Sequence, residues 1–200
     1  MGKYRLRPAL RRDSRDIARL FRISSEGVAD YIWSKLAQQG QSLIDVGCAR
    51  YAREGVDFSY RNCIVAEQAG CVIGMLHGFE MKADADAKEE TDPVLRPYSE
   101  LEIPGTLYVS GVAMLPRHRG RGIGSELMKA AEGRARDMGL GGLSLIVFEE
   151  NEGAHRLYER IGYVAIDRRP VVPHALIRVA GGDAILMEKA LDRSRLAASV

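Results

Sequence analysis

The chain has 200 residues, 46% hydrophobic and 28% charged, proportions that exclude wholesale disorder and give a domain of this length a core without staples. A net charge of +2 is too small to argue for nucleic acid or a membrane surface. Cys48, Cys63 and Cys71 form no C-x-x-C pair, so neither a disulfide framework nor a metal site is expected.

Taken in order, Tyr4 and Leu6 alternate with basic residues up to Pro8, which reads as a short strand. The basic start is not followed by a signal-like apolar stretch, and no run approaches the ~20 residues of a membrane helix. Asp13 or Ser14 offers an N-cap to a helix carrying Ile17, Leu20 and Phe21. The helical pattern goes on through Val28, Tyr31, Ile32 and Leu36, with a break at Gly27 and a close at Gly40. A second helix is expected from Ser42 to Arg53, ending at Gly55. Asn62–Glu67 and Cys71–Phe79 are apolar runs joined at Ala69-Gly70, an antiparallel hairpin.

Residues 82–105 read as a loop insertion: seven acids stand against Lys82, Lys88 and Arg96 between 82 and 102, with Pro93 and Pro97. Strand pattern resumes over Leu107–Leu115 and stops at Pro116. Ile123, Leu127, Ala131, Ala135 and Met138 then recur at helical spacing, with Gly139 as a left-handed cap. Leu143–Phe148 reads as a buried strand, and Asn151 caps a short helix bearing Ala154, Leu157 and Ile161. Tyr163–Ile166 and Ala184–Met187 are expected to close the sheet around a loop with Pro170 and Pro173, and 193–200 reads as a tail.

Between a strand and a helix lies Arg119-Gly-Arg-Gly-Ile-Gly124. Glycines there free successive backbone N–H groups to face one concavity at the positive end of a helix dipole, an anion site whose natural ligand is a phosphate or diphosphate. A P-loop is excluded, since no lysine stands at the required offset. A Rossmann fingerprint fails at its last position, where Ser125 replaces glycine. The pattern [QR]-x-x-G-x-[GA] is met by Arg119, Gly122 and Gly124. Tight helix packing alone also explains such glycines, so the hexapeptide leaves both readings open.

The context is more specific. Val112-Ala-Met-Leu-Pro116, the glycine turn, a long helix, a strand, and then Asn151-x-x-Ala-x-x-Leu-Tyr158-x-x-x-Gly-Tyr163 together resemble the GNAT superfamily of acyl-coenzyme A-dependent N-acyltransferases. The two blocks cover about a quarter of the chain, and the order of elements fits the family over nearly all of it. The resemblance implies an α/β (α+β) fold: a mixed, mostly antiparallel twisted sheet of about seven strands flanked by helices, split in a V between the fourth and fifth strands. It implies acetyl-coenzyme A (acetyl-CoA) as co-substrate. Its diphosphate would lie on the backbone of Arg119, Gly120, Arg121, Gly122, Ile123, Gly124 and Ser125, and its amide-bearing arm along Val112, Ala113 and Met114. Tyr158 matches the tyrosine that protonates the departing thiolate, although a tyrosine there can also serve only to pack. Asn151 and His155 share the Tyr158 face of the helix, with His155 read equally as a coenzyme contact or a solvated side chain.

The family's base positions on the strand correspond to Tyr108 and Ser110, neither of them an obvious base, which brings forward Glu100, Glu102 or a water chain ending on one of them. Two functions follow. One is an N-acetyltransferase acting on a primary amine by direct transfer in a ternary complex, a small-molecule amine being favoured over protein. The other is a non-catalytic acyl-CoA-binding sensor or interaction module. No cysteine in either block offers an acyl-enzyme route. The acidic insertion suggests steering of a cationic amine, and acceptor choice is expected near Tyr31 and Trp33, in the insertion, and in the loop from Pro170 to His174. No nucleic acid or membrane partner is expected, the expected location is cytoplasmic, and pairing into a homodimer is left open.

Overall fold

A computed structural model describes residues 3–83 and 89–192; positions 84–88 of the acidic insertion and the expected tail at 193–200 lie outside the described residues. The first strand, β1 (Arg5–Pro8), ends at its proline and pairs antiparallel with β2 (Cys63–Gln68), Arg5 opposite Glu67. β2 turns into β3 (Cys71–Glu80) through Ala69 at φ 49° and Gly70 at φ 77°. Two left-handed residues in a row make the tight turn whose twist matches a hairpin. Three helices lie between β1 and β2: α1 (Ser14–Ser24), α2 (Val28–Leu36) and α3 (Leu43–Tyr51). Ser42 caps α3 by accepting the Asp45 N–H, and the expected break at Gly27 is left-handed at φ 98°.

By its internal contacts the chain resolves into two compact units. The first holds the chain up to Gly78, Gly111–Met128 and Ala175–Arg178; the second holds Phe79–Ser110, Lys129–His174 and the chain from Val179 on. The boundaries fall inside β3, inside β4 (Thr106–Met114) and inside α5 (Ile123–Asp137). The core of the first unit is aromatic. Phe21 lies 6.3 Å from Trp33 and 5.7 Å from both Tyr51 and Phe58. Trp33 lies over Gly47, where an added Cβ would come within 2.3 Å of the indole. Tyr31 and Trp33 are 7% and 2% exposed. Both side chains thus spend their bulk in the core, and any acceptor contact in this hairpin falls to their neighbours.

The second unit adds α4 (Arg96–Ser99), β5 (Gly142–Phe148), α6 (Glu152–Arg160), β6 (Val164–Pro170) and β7 (Asp183–Ala190). The described part of the insertion carries α4 and buries Val94, Pro97 and Leu101. In hydrogen-bonded order the strands run β1-β2-β3-β4-β5-β7-β6. The β1–β2, β2–β3, β5–β7 and β6–β7 ladders are antiparallel, and β4–β5 is parallel from Thr106↔Gly142 to Val109↔Leu145. β4 continues to Met114 with no β5 partner beyond Val109, and this early end of the ladder is the expected split between the fourth and fifth strands. The α/β class and the mixed seven-stranded sheet flanked by helices are as expected. Among the described residues no helix is long and apolar enough to cross a membrane.

Candidate functional site

In the first unit the end of β4, Gly111–Met114, and the glycine turn form one continuous piece. Burial alternates along β4, with Gly111 and Ala113 inward and Val112 and Met114 half-buried. Gly111 admits α1: a Cβ there would lie 2.6 Å from the Ser24 hydroxyl oxygen and 3.0 Å from the Phe21 ring. Just past the strand, the Leu115 N–H donates to Ile73 O at 2.9 Å. Backbone groups of successive strand residues face opposite edges. Met114 and Val112 thus direct their N–H and C=O groups to the edge away from β3, and Ala113 directs its own toward it.

Pro116–His118 then makes a single 3-10 turn, Arg119 is extended, and α5 starts at Ile123. Gly120 and Gly122 stand at φ 71° and 78°, a conformation costing about 1–2 kcal/mol with any Cβ. A Cβ at either position would meet no atom within 4 Å, so these glycines set a backbone path and do not serve close packing. The first α5 amide with a backbone acceptor is Glu126 N–H, which donates to Gly122 O at 3.2 Å. Those from Gly120 to Ser125 donate to nothing among the described residues. Six consecutive amides without acceptors at a helix start fit a diphosphate.

His118 is a residue the sequence reading passed over. It is 8% exposed, with Arg117 Nε donating to its Nε2 at 3.1 Å and Arg121 Nη1 standing 2.9 Å from its Nδ1. Burial and then the two guanidiniums hold its imidazole below the ordinary histidine range. Only the basic residues one before and three after it marked this in the sequence.

The second unit holds the other expected residues. On α6, Asn151 Oδ1 accepts the Ala154 N–H at 3.2 Å, so its side chain is the helix cap. His155 and Tyr158 follow on the same face; the His155 Nε2 is buried without a hydrogen-bond partner among the described residues. Tyr158 is 9% exposed, burial pushes its phenol up to about 12, and its ring lies 5.8 Å from that of Tyr163. Tyr108 and Ser110 lie on the half-buried face of β4. The Tyr108 ring meets Phe79 edge-on at 5.6 Å, and burial, then the charge of Glu102, keeps its phenol un-ionised. Glu100 is held by Arg169 at 2.8 Å. Glu102 has no ion pair among the described residues, and partial burial raises its carboxyl above the ordinary range.

Residues 29–163 match the model of the acetyltransferase (GNAT) family. The chain belongs to this family. Acyltransferase chemistry with acetyl-CoA as co-substrate, expected from the two sequence blocks, is that of the GNAT family. Over 142 residues it is 30% identical to the mycothiol acetyltransferase of Parafrankia sp. (strain EAN1pec), covering 70% of this chain and 41% of that protein; the chain thus spans well under half of that relative's length. Among solved structures, a crystal structure of an acetyltransferase superposes with a TM-score of 0.68 at 23% identity, covering 94% of this chain and all of that one. The Salmonella typhimurium protein yncA, determined with its cofactor acetyl-CoA, gives a TM-score of 0.62 at 19% identity, with 96% of each chain covered. At these identities the two structures speak to the GNAT fold.

Proposed function

We propose that this GNAT chain transfers the acetyl group of acetyl-CoA to a primary amine by direct attack within a ternary complex, and that the amine is a small molecule rather than a protein. The observation that carries the reading is the run of amides from Gly120 to Ser125 without acceptors among the described residues, placed directly after a strand that has no β5 partner over Gly111–Met114. When bound, acetyl-CoA supplies an activated thioester. The amides hold its diphosphate. Val112 and Met114 pair with the amides of the pantetheine arm as a neighbouring strand would, and an N–H of that edge polarises the thioester carbonyl.

Tyr158 donates its phenolic proton to the departing sulfur. A phenol near 12 stays protonated throughout the neutral range and so keeps the proton ready. With Glu100 engaged by Arg169, Glu102 is the carboxylate that takes the proton of the incoming ammonium. Asn151 acts by capping α6 and thereby orienting Tyr158. Thiol release measured over a panel of small primary amines, with mass spectrometry of the products, tests the reading. Acetamide and free coenzyme A formed in equal amounts are expected; acetyl-CoA that binds without any amine being acetylated would leave only a binding module.

A further inference from the structure

The glycine turn accounts for a diphosphate through backbone groups alone, yet the same segment carries three guanidiniums, on Arg117, Arg119 and Arg121. None of them has a carboxylate partner among the described residues. The carboxylate closest in sequence, Glu126, receives the phenol of Tyr4 instead. Two of the three are drawn together by His118: Arg117 Nε reaches one ring nitrogen at 3.1 Å and Arg121 Nη1 the other at 2.9 Å. The ring nitrogens of one imidazole are only about 2 Å apart, so two like charges converge on one small buried group.

The hydrogen bonding of this cluster is incomplete. A guanidinium only donates, and a neutral imidazole has one lone pair to accept with. One of the two arginines therefore always faces an N–H, and both have further donors that meet no acceptor among the described residues. A group with several acceptor oxygens and two negative charges resolves both conflicts. Coenzyme A carries one such group apart from its diphosphate, the phosphomonoester on its ribose. Each phosphorus of the diphosphate bears about one charge, whereas a monoester bears about two near neutral pH and has three open oxygens. Paired guanidiniums are matched to the monoester, and backbone amides to the diphosphate.

We infer that Arg117 and Arg121, held in place by His118, form a separate site for the ribose phosphomonoester of coenzyme A, by which the protein selects coenzyme A over its dephospho form. The inference rests on the acetyl-CoA reading above and adds a binding site to it. Arg117 and Arg121 bind the ligand, and His118 is a positioning residue.

Calorimetric titration of coenzyme A and of dephospho-coenzyme A into the full-length protein and into Arg117→Gln separates the two claims. The parent protein is expected to bind coenzyme A at least about tenfold more tightly, the worth of one charge-assisted pair. Arg117→Gln is expected to bring that ratio toward one by weakening coenzyme A alone; Arg117 is exposed, so folding is not at stake. His118→Phe, which keeps the bulk, is expected to lower the ratio less than Arg117→Gln does. A parent ratio near one, or an arginine variant that weakens both ligands equally, would overturn the inference while leaving the acetyl-CoA reading intact. No heat with either ligand would instead sink that reading.

Discussion

At the scale of single residues, the division of labour turns on two protons. Tyr158 keeps its proton because burial pushes its phenol up to about 12. Tyr158→Phe is expected to lower kcat about a hundredfold, the lower end for a positioned general acid, with KM for acetyl-CoA changed less than about threefold. An equal rise in KM with kcat preserved would instead make Tyr158 a packing residue. Because the phenol ionises so late, it contributes no alkaline limb to the rate below about pH 10. Glu102 is displaced in the same direction by its own partial burial, and for a base the consequence is an acidic limb. Rate should rise with pH as this carboxyl ionises, at a pH above that of an ordinary glutamate. Glu102→Gln is expected to remove that limb and lower the plateau, whereas Glu100→Gln, which only frees Arg169, keeps the profile. A limb that survives in Glu102→Gln would transfer the base role elsewhere.

At the scale of elements, the join of α1 to β4 matters most, because it fixes the strand whose far end offers the unpaired edge. Gly111 leaves no room for a side chain: a Cβ would sit 2.6 Å from the Ser24 hydroxyl oxygen. Gly111→Ala is expected to destabilise by about 1–3 kcal/mol through overpacking, and Ser24→Ala in the same chain to restore part of the loss by removing that oxygen. Full additivity of the two changes in thermal unfolding would refute the steric account. No local pattern marked Gly111, because the helix it meets lies about ninety residues earlier in the chain. Elements governed by local chemistry were legible. The turn at Ala69-Gly70, the cap at Asn151 and the stop at Gly139 each stand where their residues placed them. The burial of Trp33 was not legible, because a large aromatic in a helix looks the same whether it lines a cleft or fills the space over Gly47. β6 was underestimated because Asp167, Arg168 and Arg169 break its apolar pattern, and an exposed edge strand tolerates them. The anion-binding turn was readable because glycine spacing encodes backbone path directly. The Arg117–His118–Arg121 cluster was not, because side-chain convergence leaves no periodic trace.

At the scale of the whole molecule, the carboxylates decide how stability responds to acid. Glu67 lies below its ordinary range through hydrogen bonds from Arg7 and Arg5. Asp13 is pushed up by burial, but hydrogen bonds from Arg7 and the Leu10 N–H outweigh this and leave it depressed. An acid depressed by folding binds fewer protons in the native state than in the unfolded one, so its contribution is complete above the unfolded values of 3.8 for Asp and 4.5 for Glu and is lost as pH falls through the lower native values. His118, held neutral, has the same sign higher up, losing stability as pH falls below 6.5. Glu102 has the opposite sign, since a raised carboxyl costs stability as pH rises past 4.5. Asp13 dominates among these because it is 5% exposed and accepts Arg7 Nη1 and the Leu10 N–H, each at 2.7 Å. Asp13→Asn removes a charge-assisted pair from Arg7, which keeps Glu67 at 2.7 Å, at an expected cost of about 2 kcal/mol at pH 7. Melting temperatures of the two proteins should converge as pH falls below 3.8 and on through the lower native value, where Asp13 is itself protonated and the substitution removes nothing. Curves that stay parallel over that range would show that the Asp13 charge is not what Arg7 contributes, and that the substitution acts through packing alone.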